Sequence, residues 1–305
     1  STLADCLGSI PATAEVVIVD QCSSDASVSV ARGLRPDAKL IRAGKNRGFG
    51  AGCNLGAANA TGDILIFLNP DAYFHEGAVC RLEQAVVEHR AMVGPKIVDS
   101  GGLEQTRARY WSRFTSDLAA VFFPGSLVVG SLRRDIPGEH EVYRSGGPVP
   151  YIQGCCMALM AEDFLRVGGF DERFFIYHEE EMLAHHLQKV GVRTILDPRA
   201  VVTHIGGVST RLRGEVPVDD SDFPAWSARQ FYRSLALSYV ELYPKPVAFA
   251  AVTVMWAVLR TMAILTPIRR LVKWRADKGS LWYLSAAAGT VDGWRRRMAT
   301  SPDEK

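Results

Sequence analysis

The sequence predicts an α/β fold in which a mostly parallel, doubly wound sheet is followed by a C-terminal helical extension. Two observations carry this prediction. Short apolar runs alternate with helix-like segments through short links, which is the pattern of a doubly wound sheet. The run ILIFL at 64–68 has no polar alternation, as expected of an interior strand covered on both faces. We expect residues 1–220 to form the sheet domain and residues 221–305 to form the extension.

Each element has a local signal. Strands are predicted where β-branched and apolar residues cluster, and helices where apolar positions recur every three or four residues. Pro70 ends the central strand because proline cannot donate to a ladder. Residues 100–150 read as a long irregular excursion. The predicted strands are 15–20, 39–44, 64–68, 92–98, 193–198 and 200–207, and a further strand, a short helix and a loop are predicted over 151–175. The main predicted helices are 23–34, 76–89, 179–191, 226–243 and 247–265, and 46–60 is predicted as a glycine-rich turn that runs into a helix.

Composition and charge narrow the class of protein. The 305 residues are 48% hydrophobic and 22% charged, which is ordinary for a globular protein with a core. The net charge is only +2, but residues 260–298 carry nine Lys or Arg and two Asp, a local charge of +7 that leaves −5 elsewhere. A basic tail on an acidic body suggests an anionic partner, lipid or nucleic acid. The six cysteines show no CxxC pair and no metal spacing, which favours reduced core residues in a cytosolic compartment.

The segment 247–265 is apolar apart from Arg260. Its uninterrupted part, 247–259, is too short for a bilayer span of about 20 residues, so we expect a buried or interfacial helix. Basic residues and tryptophans follow it, a combination typical of membrane-surface anchors. We therefore expect an anionic membrane surface as partner, and no nucleic acid. The alternative is a helical subdomain packed on the catalytic body or on a second copy in a homo-oligomer.

Two carboxylates follow buried strands. Asp20 ends the strand at 15–20, and Asp71 follows Asn69 and Pro70 at the end of the central strand. Open α/β sheets bind ligands at this edge, and Mg²⁺ or Mn²⁺ bound to a diphosphate needs only one or two protein carboxylates. The alternative for Asn69-Pro70-Asp71 alone is a turn with a solvated carboxylate.

The glycine-rich segment NRGFGAGCNLG at 46–56 does not match the dinucleotide-binding pattern, because Cys53 or Leu55 falls on the third glycine. Its glycines are compatible with close approach of a phosphate to a helix N-terminus. They are equally compatible with a tight turn and close helix packing.

Glu179, Glu180 and Glu181 open a predicted helix. Acidic residues in a first turn complement the helix dipole without any function. Aromatic residues just before them create a half-apolar setting, in which a carboxylate can become a general base. His204 ends an apolar strand, where it is either a structural residue or a ligand to a nearby metal.

Four spaced segments, VVIVDQCSSDAS, NRGFGAGCNLGAANATGDILIFLNPDA, GGFDERFFIYHEEEML and VVTHIGGVS, together resemble family 2 glycosyltransferases of the GT-A fold. The resemblance covers about residues 3–235 and is greatest to bacterial rhamnosyltransferases of cell-wall and O-antigen synthesis. The opening strand of that fold is expected to be missing from this chain. Glu180 stands where the family usually has Asp, Met182 where a second Asp is common, and His186 where Arg is frequent.

The resemblance implies a role for each candidate residue. Asp20 is expected to contact the nucleobase or ribose, and Asn46, Gly48 and Asn69 to line the nucleotide site. Asp71 falls on the metal ligand of the family's DxD motif, and His204 on a histidine that joins the metal in relatives. Glu180 falls on the catalytic base, with Glu179 beside it. Arg211, in the loop after His204, is a candidate for stabilising the departing diphosphate.

We therefore predict an inverting glycosyltransferase that uses a divalent cation, Mg²⁺ or Mn²⁺. It would move a sugar, with rhamnose as the candidate, from a nucleoside-diphosphate donor to a glycan or polyprenyl-linked acceptor. The predicted location is cytoplasmic, on the inner face of the cell membrane. Two alternatives stay open: a sugar-nucleotide nucleotidyltransferase, and a non-catalytic, membrane-associated carbohydrate-binding protein.

Overall fold

The computed structural model describes residues 2–105, 108–122, 139–152, 154–206, 223–271 and 280–298. Within these ranges the chain divides into two compact units. Unit 1 is Ser1–Tyr110, Ile136–Glu172 and Leu183–Pro217, and unit 2 is Trp111–Asp135, Arg173–Met182 and Val218–Lys305. The predicted boundary at 220/221 lies outside the described residues and stays a prediction. Unit 2 also takes up two earlier segments, which a single boundary does not describe.

The strands of the described residues all belong to unit 1, and the described helices are shared between the units. The strands are β1 Val17–Asp20, β2 Lys39–Arg42, β3 Ile64–Leu68, β4 Ala72–Phe74, β5 Met92–Val98, β6 Glu104–Gln105, β7 Ala108–Arg109, β8 Gly147–Val149, β9 Tyr151–Ile152, β10 Cys156–Met160 and β11 Thr194–His204. The helices are α1 Thr2–Gly8, α2 Ser27–Leu34, α3 Phe49–Ala57, α4 Ala78–His89, α5 Phe114–Phe122, α6 Glu139–Ser145, α7 Ala161–Arg166, α8 Glu179–Lys189, α9 Phe223–Leu242, α10 Lys245–Leu271 and α11 Ser280–Met298.

The main sheet of unit 1 has the order β3-β10-β5-β11-β4, with β6 and β8 paired outside this path. Its α/β class is as predicted, but the expectation of a mostly parallel sheet is wrong. β5 and β11 are parallel, whereas β10 runs antiparallel to both β3 and β5, and β4 runs antiparallel to β11. β10 is wholly apolar, and an apolar run has the same hydrophobic pattern in both chain directions. Its sequence therefore does not indicate whether it runs parallel or antiparallel to its neighbours. β1 and β2 form a separate parallel pair.

The two strands predicted at 193–198 and 200–207 are one strand, β11. Its pairing with β5 shifts register between Asp197 and Val201. Pro198 lies in that irregularity, where its missing N–H costs the ladder nothing. The carboxylate of Asp197 holds the bulge by accepting from the backbone amide of Arg199 (3.0 Å) and from the guanidinium of Arg81 (2.8 Å).

The core of unit 1 lies where α4 covers the sheet. Leu82, Ala85 and Val86 of α4 are fully buried, and they pack in one cluster with Val93 and with apolar residues of β10 and β11. The sequence spacing of these α4 residues is the helical one that predicted the element.

The core of unit 2 is a helical cluster formed by α5, α9, α10 and α11. α11 approaches α9 at two glycines: a Cβ on Gly289 would lie 2.2 Å from the carbonyl oxygen of Arg229, and one on Gly293 would lie 2.3 Å from that of Arg233. Only glycine permits so close a backbone approach. The predicted helical extension is present. α10 is longer at both ends than the predicted 247–265, whereas α9 begins before and ends one residue before the predicted 226–243.

Candidate active site

Asp71 and His204 meet just after β3. This strand stands at one end of the order of described strands in the main sheet, so the expectation of an interior strand covered on both faces is wrong. The amide of Asn69 donates to the carbonyl of Cys155 (2.8 Å), and the turn closes when the amide of Ala72 donates to the carbonyl of Asn69 (3.0 Å). β4 then pairs with the end of β11, where Ala72 lies opposite His204 and the Ile205 amide donates to the Asp71 carbonyl (3.0 Å). Backbone pairing therefore brings the two residues together, with His204 Nε2 3.4 Å from Asp71 Oδ1.

The surroundings of this pair are polar, and they are almost completely buried. Asp71 is 1% exposed and Asn69 Oδ1 is buried without a hydrogen-bond partner among the described residues. Cys6 points its thiol towards the Asn69 carbonyl (3.6 Å). Burial and the negative charge of Asp71 raise the pKa of Cys6 to about 12. Cys6 therefore favours its neutral thiol form.

These residues fit one kind of metal site. In the described part of the chain, no group of three or more His, Cys, Asp or Glu side chains is arranged to hold a metal. A carboxylate, an imidazole and an amide oxygen nonetheless match a Mg²⁺ or Mn²⁺ ion that takes its remaining oxygen ligands from a diphosphate and water. A metal bound by protein alone does not fit.

A second group of predicted residues gathers at the end of β1. Asp20 is 6% exposed, and its Oδ1 accepts from the amide of Ser23 (2.9 Å). Its Oδ2 lies 3.6 Å from Arg42 Nε and has no hydrogen bond among the described residues. An acceptor oxygen held in this way suits the N–H of a nucleobase or a ribose hydroxyl.

Gln21 ties this strand end to the glycine-rich turn. Its Oε1 accepts from the amide of Arg47 (3.0 Å), and its Nε2 donates to the carbonyl of Gly48 (2.9 Å). Asn46 Oδ1 accepts from the amide of Gly48 (3.0 Å), which has a left-handed φ of 98°. Asn46 therefore shapes the turn, and Gln21 is a residue that sequence reasoning missed, because no local pattern marks it.

The glycines that follow in α3 are explained by packing. A Cβ on Gly50 would lie 2.8 Å from the Cβ of Phe170, and one on Gly52 would lie 2.7 Å from Gln21 Nε2. Of the two interpretations that the sequence left open for this segment, close packing accounts for Gly50 and Gly52.

The three glutamates at the start of α8 belong to unit 2, and they have different environments. Glu181 is fully buried and accepts from the amide of Ser112, from Ser112 Oγ (2.8 Å) and from His178 Nδ1 (2.7 Å). Burial lowers the pKa of His178, but the hydrogen bond and charge of Glu181 act the other way and the net pKa is raised. Sequence reasoning missed this network, because Ser112 lies far away along the chain.

Glu179 and Glu180 are 4% and 7% exposed. Burial, and then the negative charge of Glu180, raise the pKa of Glu179 well above its usual range. Glu179 therefore favours its neutral form, which leaves Glu180 as the candidate proton acceptor of the pair. The chain enters this helix through left-handed backbone at Tyr177 (φ 69°) and His178 (φ 65°), a costly conformation that often accompanies functional sites.

Residues 1–167 match the model of the family described as Glycosyl transferase family 2, which is more than half of the 305-residue chain. The chain belongs to glycosyl transferase family 2. The predicted enzyme class, glycosyltransferase, is thereby confirmed. The matched residues include Asp20 and Asp71, whereas Glu180 and His204 lie beyond them.

Two curated relatives of this family 2 protein are the N-acetylglucosaminyl-diphospho-decaprenol L-rhamnosyltransferases of Mycobacterium tuberculosis strains CDC 1551 and H37Rv. Each is 28% identical over 212 residues, which is 64% of this chain and 67% of the relative. Among solved structures, S. aureus TarS 1-349 aligns with a TM-score of 0.50 and 12% identity over 99% of this chain and 89% of that one. The mannosyltransferase PcManGT from Pyrobaculum calidifontis, in complex with GDP-Man and Mn²⁺, aligns with a TM-score of 0.48 and 17% identity over 93% and 78%. The predicted GT-A fold with C-terminal helices is confirmed.

The predicted site residues of this glycosyltransferase are distributed over both units. Arg211 lies outside the described residues, in the stretch 207–222. Unit 2 contains Glu179 and Glu180. Unit 1 contains Asp20, Asn46, Gly48, Asn69, Asp71 and His204.

Proposed function

We propose that this glycosyltransferase inverts the anomeric centre as it moves a sugar from a nucleoside diphosphate to a lipid-linked glycan acceptor. The observation that carries the proposal is the Asp71–His204 pair just after β3, in which the Asp71 carboxylate is buried. The names of the mycobacterial relatives describe rhamnose transfer to a decaprenol-linked acceptor, and we propose the same classes of donor and acceptor. Such an acceptor is consistent with a location on the inner face of the cell membrane.

In this proposal Asp71 and His204 would hold a divalent cation, with Asn69 Oδ1 as a further oxygen ligand. When bound, the cation would neutralise charge that develops on the departing diphosphate. Asp20 would accept a hydrogen bond from the base or ribose, and the turn at Asn46 and Gly48 would border the nucleotide. Arg211 remains a proposed cationic partner of the diphosphate.

Glu180 would accept the proton of the acceptor hydroxyl. As that proton leaves, the acceptor oxygen forms a bond to the anomeric carbon, and the bond from this carbon to the diphosphate oxygen breaks on the opposite face. Attack from the face opposite to the leaving group gives inversion. Glu179, in its neutral form, would neither compete for the proton nor add a second negative charge.

The family assignment excludes the nucleotidyltransferase alternative, and a binding experiment tests the catalytic site against the non-catalytic alternative. UDP, GDP and dTDP are titrated into the protein with and without Mn²⁺, using thermal unfolding as the readout. A nucleotide at 100 times its Kd should add about 2.7 kcal/mol to the unfolding free energy. Asp71→Asn should abolish the Mn²⁺-dependent part and leave the fold intact, because Asp71 lies at the edge of the sheet.

The matched control is Asp63→Asn, an exposed carboxylate just before the other end of the same strand. It should behave as the wild type does. Unchanged Mn²⁺-dependent binding in a folded Asp71→Asn variant would remove Asp71 from the metal site. Nucleotide binding without any sugar transfer or donor hydrolysis by the wild type would favour the non-catalytic alternative.

A further inference from the structure

One side of α10 faces outwards and is almost wholly apolar. The other side packs in the core of unit 2 through residues such as Ala248, Met255 and Leu259. On the outward side Phe249 is 54% exposed and Ile264 is 72% exposed. Several large, exposed apolar side chains on one face of a helix indicate an interaction surface. The outward face comprises Val247, Phe249, Val254, Trp256, Ile264 and Leu265.

The polar side chains of this face are compatible with contact to lipid. Thr253 Oγ1 donates to the carbonyl of Phe249 (2.8 Å), and Thr261 Oγ1 donates to that of Ala257 (2.9 Å). A hydroxyl bonded inside its own helix needs no water, as a helix in lipid requires. Arg260 is the one charged residue of the sequence between Val247 and Leu265, and its long stem lets the guanidinium reach a headgroup layer.

The length and composition of α10 would allow it to cross a bilayer. Among the described residues, Lys245–Leu265 is a candidate span with a mean hydropathy of 1.9, although 39% of its most apolar window is buried in the protein. The charged residues of the neighbouring helices make it unfavourable for α10 to cross the bilayer. α9 and α11 carry the ion pair Arg229–Asp292, whose side chains are 52% and 33% exposed. Hydrated charges on the same bundle are unfavourable in hydrocarbon, but they are compatible with a helix lying in the membrane surface.

The sequence at the C-terminal end of α10 and just beyond it has the charge that such a surface attracts. Residues 266–279 include Arg269, Arg270, Lys273, Arg275 and Lys278 against a single Asp277. A sequence that combines clustered cations with an apolar segment binds anionic leaflets more strongly than neutral ones.

We propose that the outward face of α10 docks into one leaflet of an anionic bilayer, with the helix axis along the membrane surface. The inference deepens the proposed function, since a lipid-linked acceptor has to be reached at a membrane. Its evidence is confined to α10 and its neighbours in unit 2, and its test requires neither donor nor acceptor.

The test is flotation of the full chain with vesicles of phosphatidylcholine, with or without phosphatidylglycerol, at low and high salt. The wild type should float with anionic vesicles and less with neutral vesicles or at high salt. The triple variant Phe249→Ser/Trp256→Ser/Ile264→Ser should lose at least about tenfold in partitioning, since burying one large apolar side chain is worth roughly a factor of ten. The matched control removes three similarly exposed apolar side chains from unit 1, through Val87→Ser/Leu103→Ser/Leu165→Ser, and should float as the wild type does.

Circular dichroism and thermal unfolding establish whether the α10 triple variant folds. If it does not, Phe249→Ser alone and Trp256→Phe take its place. Vesicles should shift the tryptophan emission of the wild type to shorter wavelength, and Trp256→Phe should reduce that shift more than Trp226→Phe does.

Three outcomes would overturn the proposal. They are equal flotation of the α10 and control triple variants, absence of wild-type flotation with every vesicle, and a wild-type dimer that the α10 variant dissociates without any vesicle binding. The last result would assign the face to a second copy of the chain. If the α10 variant does not float but still transfers sugar to a short, soluble acceptor, the loss of membrane docking is separate from the catalytic activity.

Discussion

Units 1 and 2 each hold a carboxylate beside a histidine, and they position the pair by different means. In unit 1 the backbone ladder between β4 and β11 sets Asp71 against His204, with 3.4 Å between Oδ1 and Nε2. In unit 2 side-chain contacts fix Glu181, which accepts from Ser112 and lies 2.7 Å from His178 Nδ1. A side chain placed by its backbone can change without loss of the fold, whereas a side chain that itself ties segments together cannot. The comparison therefore separates residues for chemistry from residues for structure, and four predictions test it.

The largest effect is expected at Glu180. Glu180→Gln keeps the shape of the side chain but cannot accept a proton, so the transfer rate should fall by a factor on the order of 10²–10⁴. Donor binding, measured by titration, should be nearly unchanged. Glu179→Gln is the matched control and should cost much less, because Glu179 already favours its neutral form. If Glu179→Gln is inactive and Glu180→Gln is active, Glu179 and not Glu180 is the residue that accepts the proton.

Glu181 should matter for stability before it matters for rate. Glu181→Ala leaves the amide of Ser112 and the ring of His178 buried without their partner, and a cost of about 3–5 kcal/mol in unfolding free energy is expected for breaking a buried pair. Chemical denaturation measures it. Glu162→Ala, which removes the exposed ion pair with Arg90, should change little. Full stability of Glu181→Ala would mean that the network does not support unit 2.

Gly289 tests how tightly unit 2 is assembled. Gly289→Ala places a methyl group 2.2 Å from the Arg229 carbonyl oxygen, so α9 and α11 must separate, at a cost of about 1–3 kcal/mol. Gly33→Ala meets no atom within 4 Å in α2. It should stabilise by up to about 1 kcal/mol, because alanine is the better helix former. Equal melting temperatures of the two variants would contradict the packing.

The smallest effect concerns pH. The pKa of His178 is raised above its ordinary value of 6.5 in the folded protein, so the folded state binds the proton more tightly than the unfolded state does. The resulting stabilisation is complete below pH 6.5 and is lost as pH rises through the folded value. The melting temperature should therefore fall less steeply between pH 5 and pH 9 for His178→Asn than for the wild type. An identical slope would exclude His178 as the titrating group.

The parts of the site that sequence reasoning reached are those that short-range rules determine. Pro70 directly follows the apolar run and cannot donate to a ladder, so the segment from Ile64 to Asp71 placed a carboxylate at a strand end without reference to any distant residue. His204 followed in the same way from the end of an apolar run. The resemblance to family 2 then supplied roles for these residues, which their spacing alone did not.

The parts that it missed depend on contacts between distant residues. Gln21 holds the turn at Gly48, and Ser112 holds Glu181, but nothing near either residue marks it. The antiparallel direction of β10 was missed because an all-apolar strand has no polarity in its sequence. Glu181 was grouped with its neighbours as part of a helix start, and only its partners distinguish it.

The reversed strand also has a consequence for how the chain is made. Paired residues of β3 and β10 lie 88 to 96 positions apart in the chain, and those of β4 and β11 lie still further apart. On the ribosome, apolar strand edges therefore remain open while most of unit 1 is synthesised. Folds dominated by such distant pairings form slowly and are prone to aggregate on the way. A nascent chain that ends before Thr194 lacks the strand that joins β4 to β5, and a chaperone that covers open strand edges should bind it most strongly at that length.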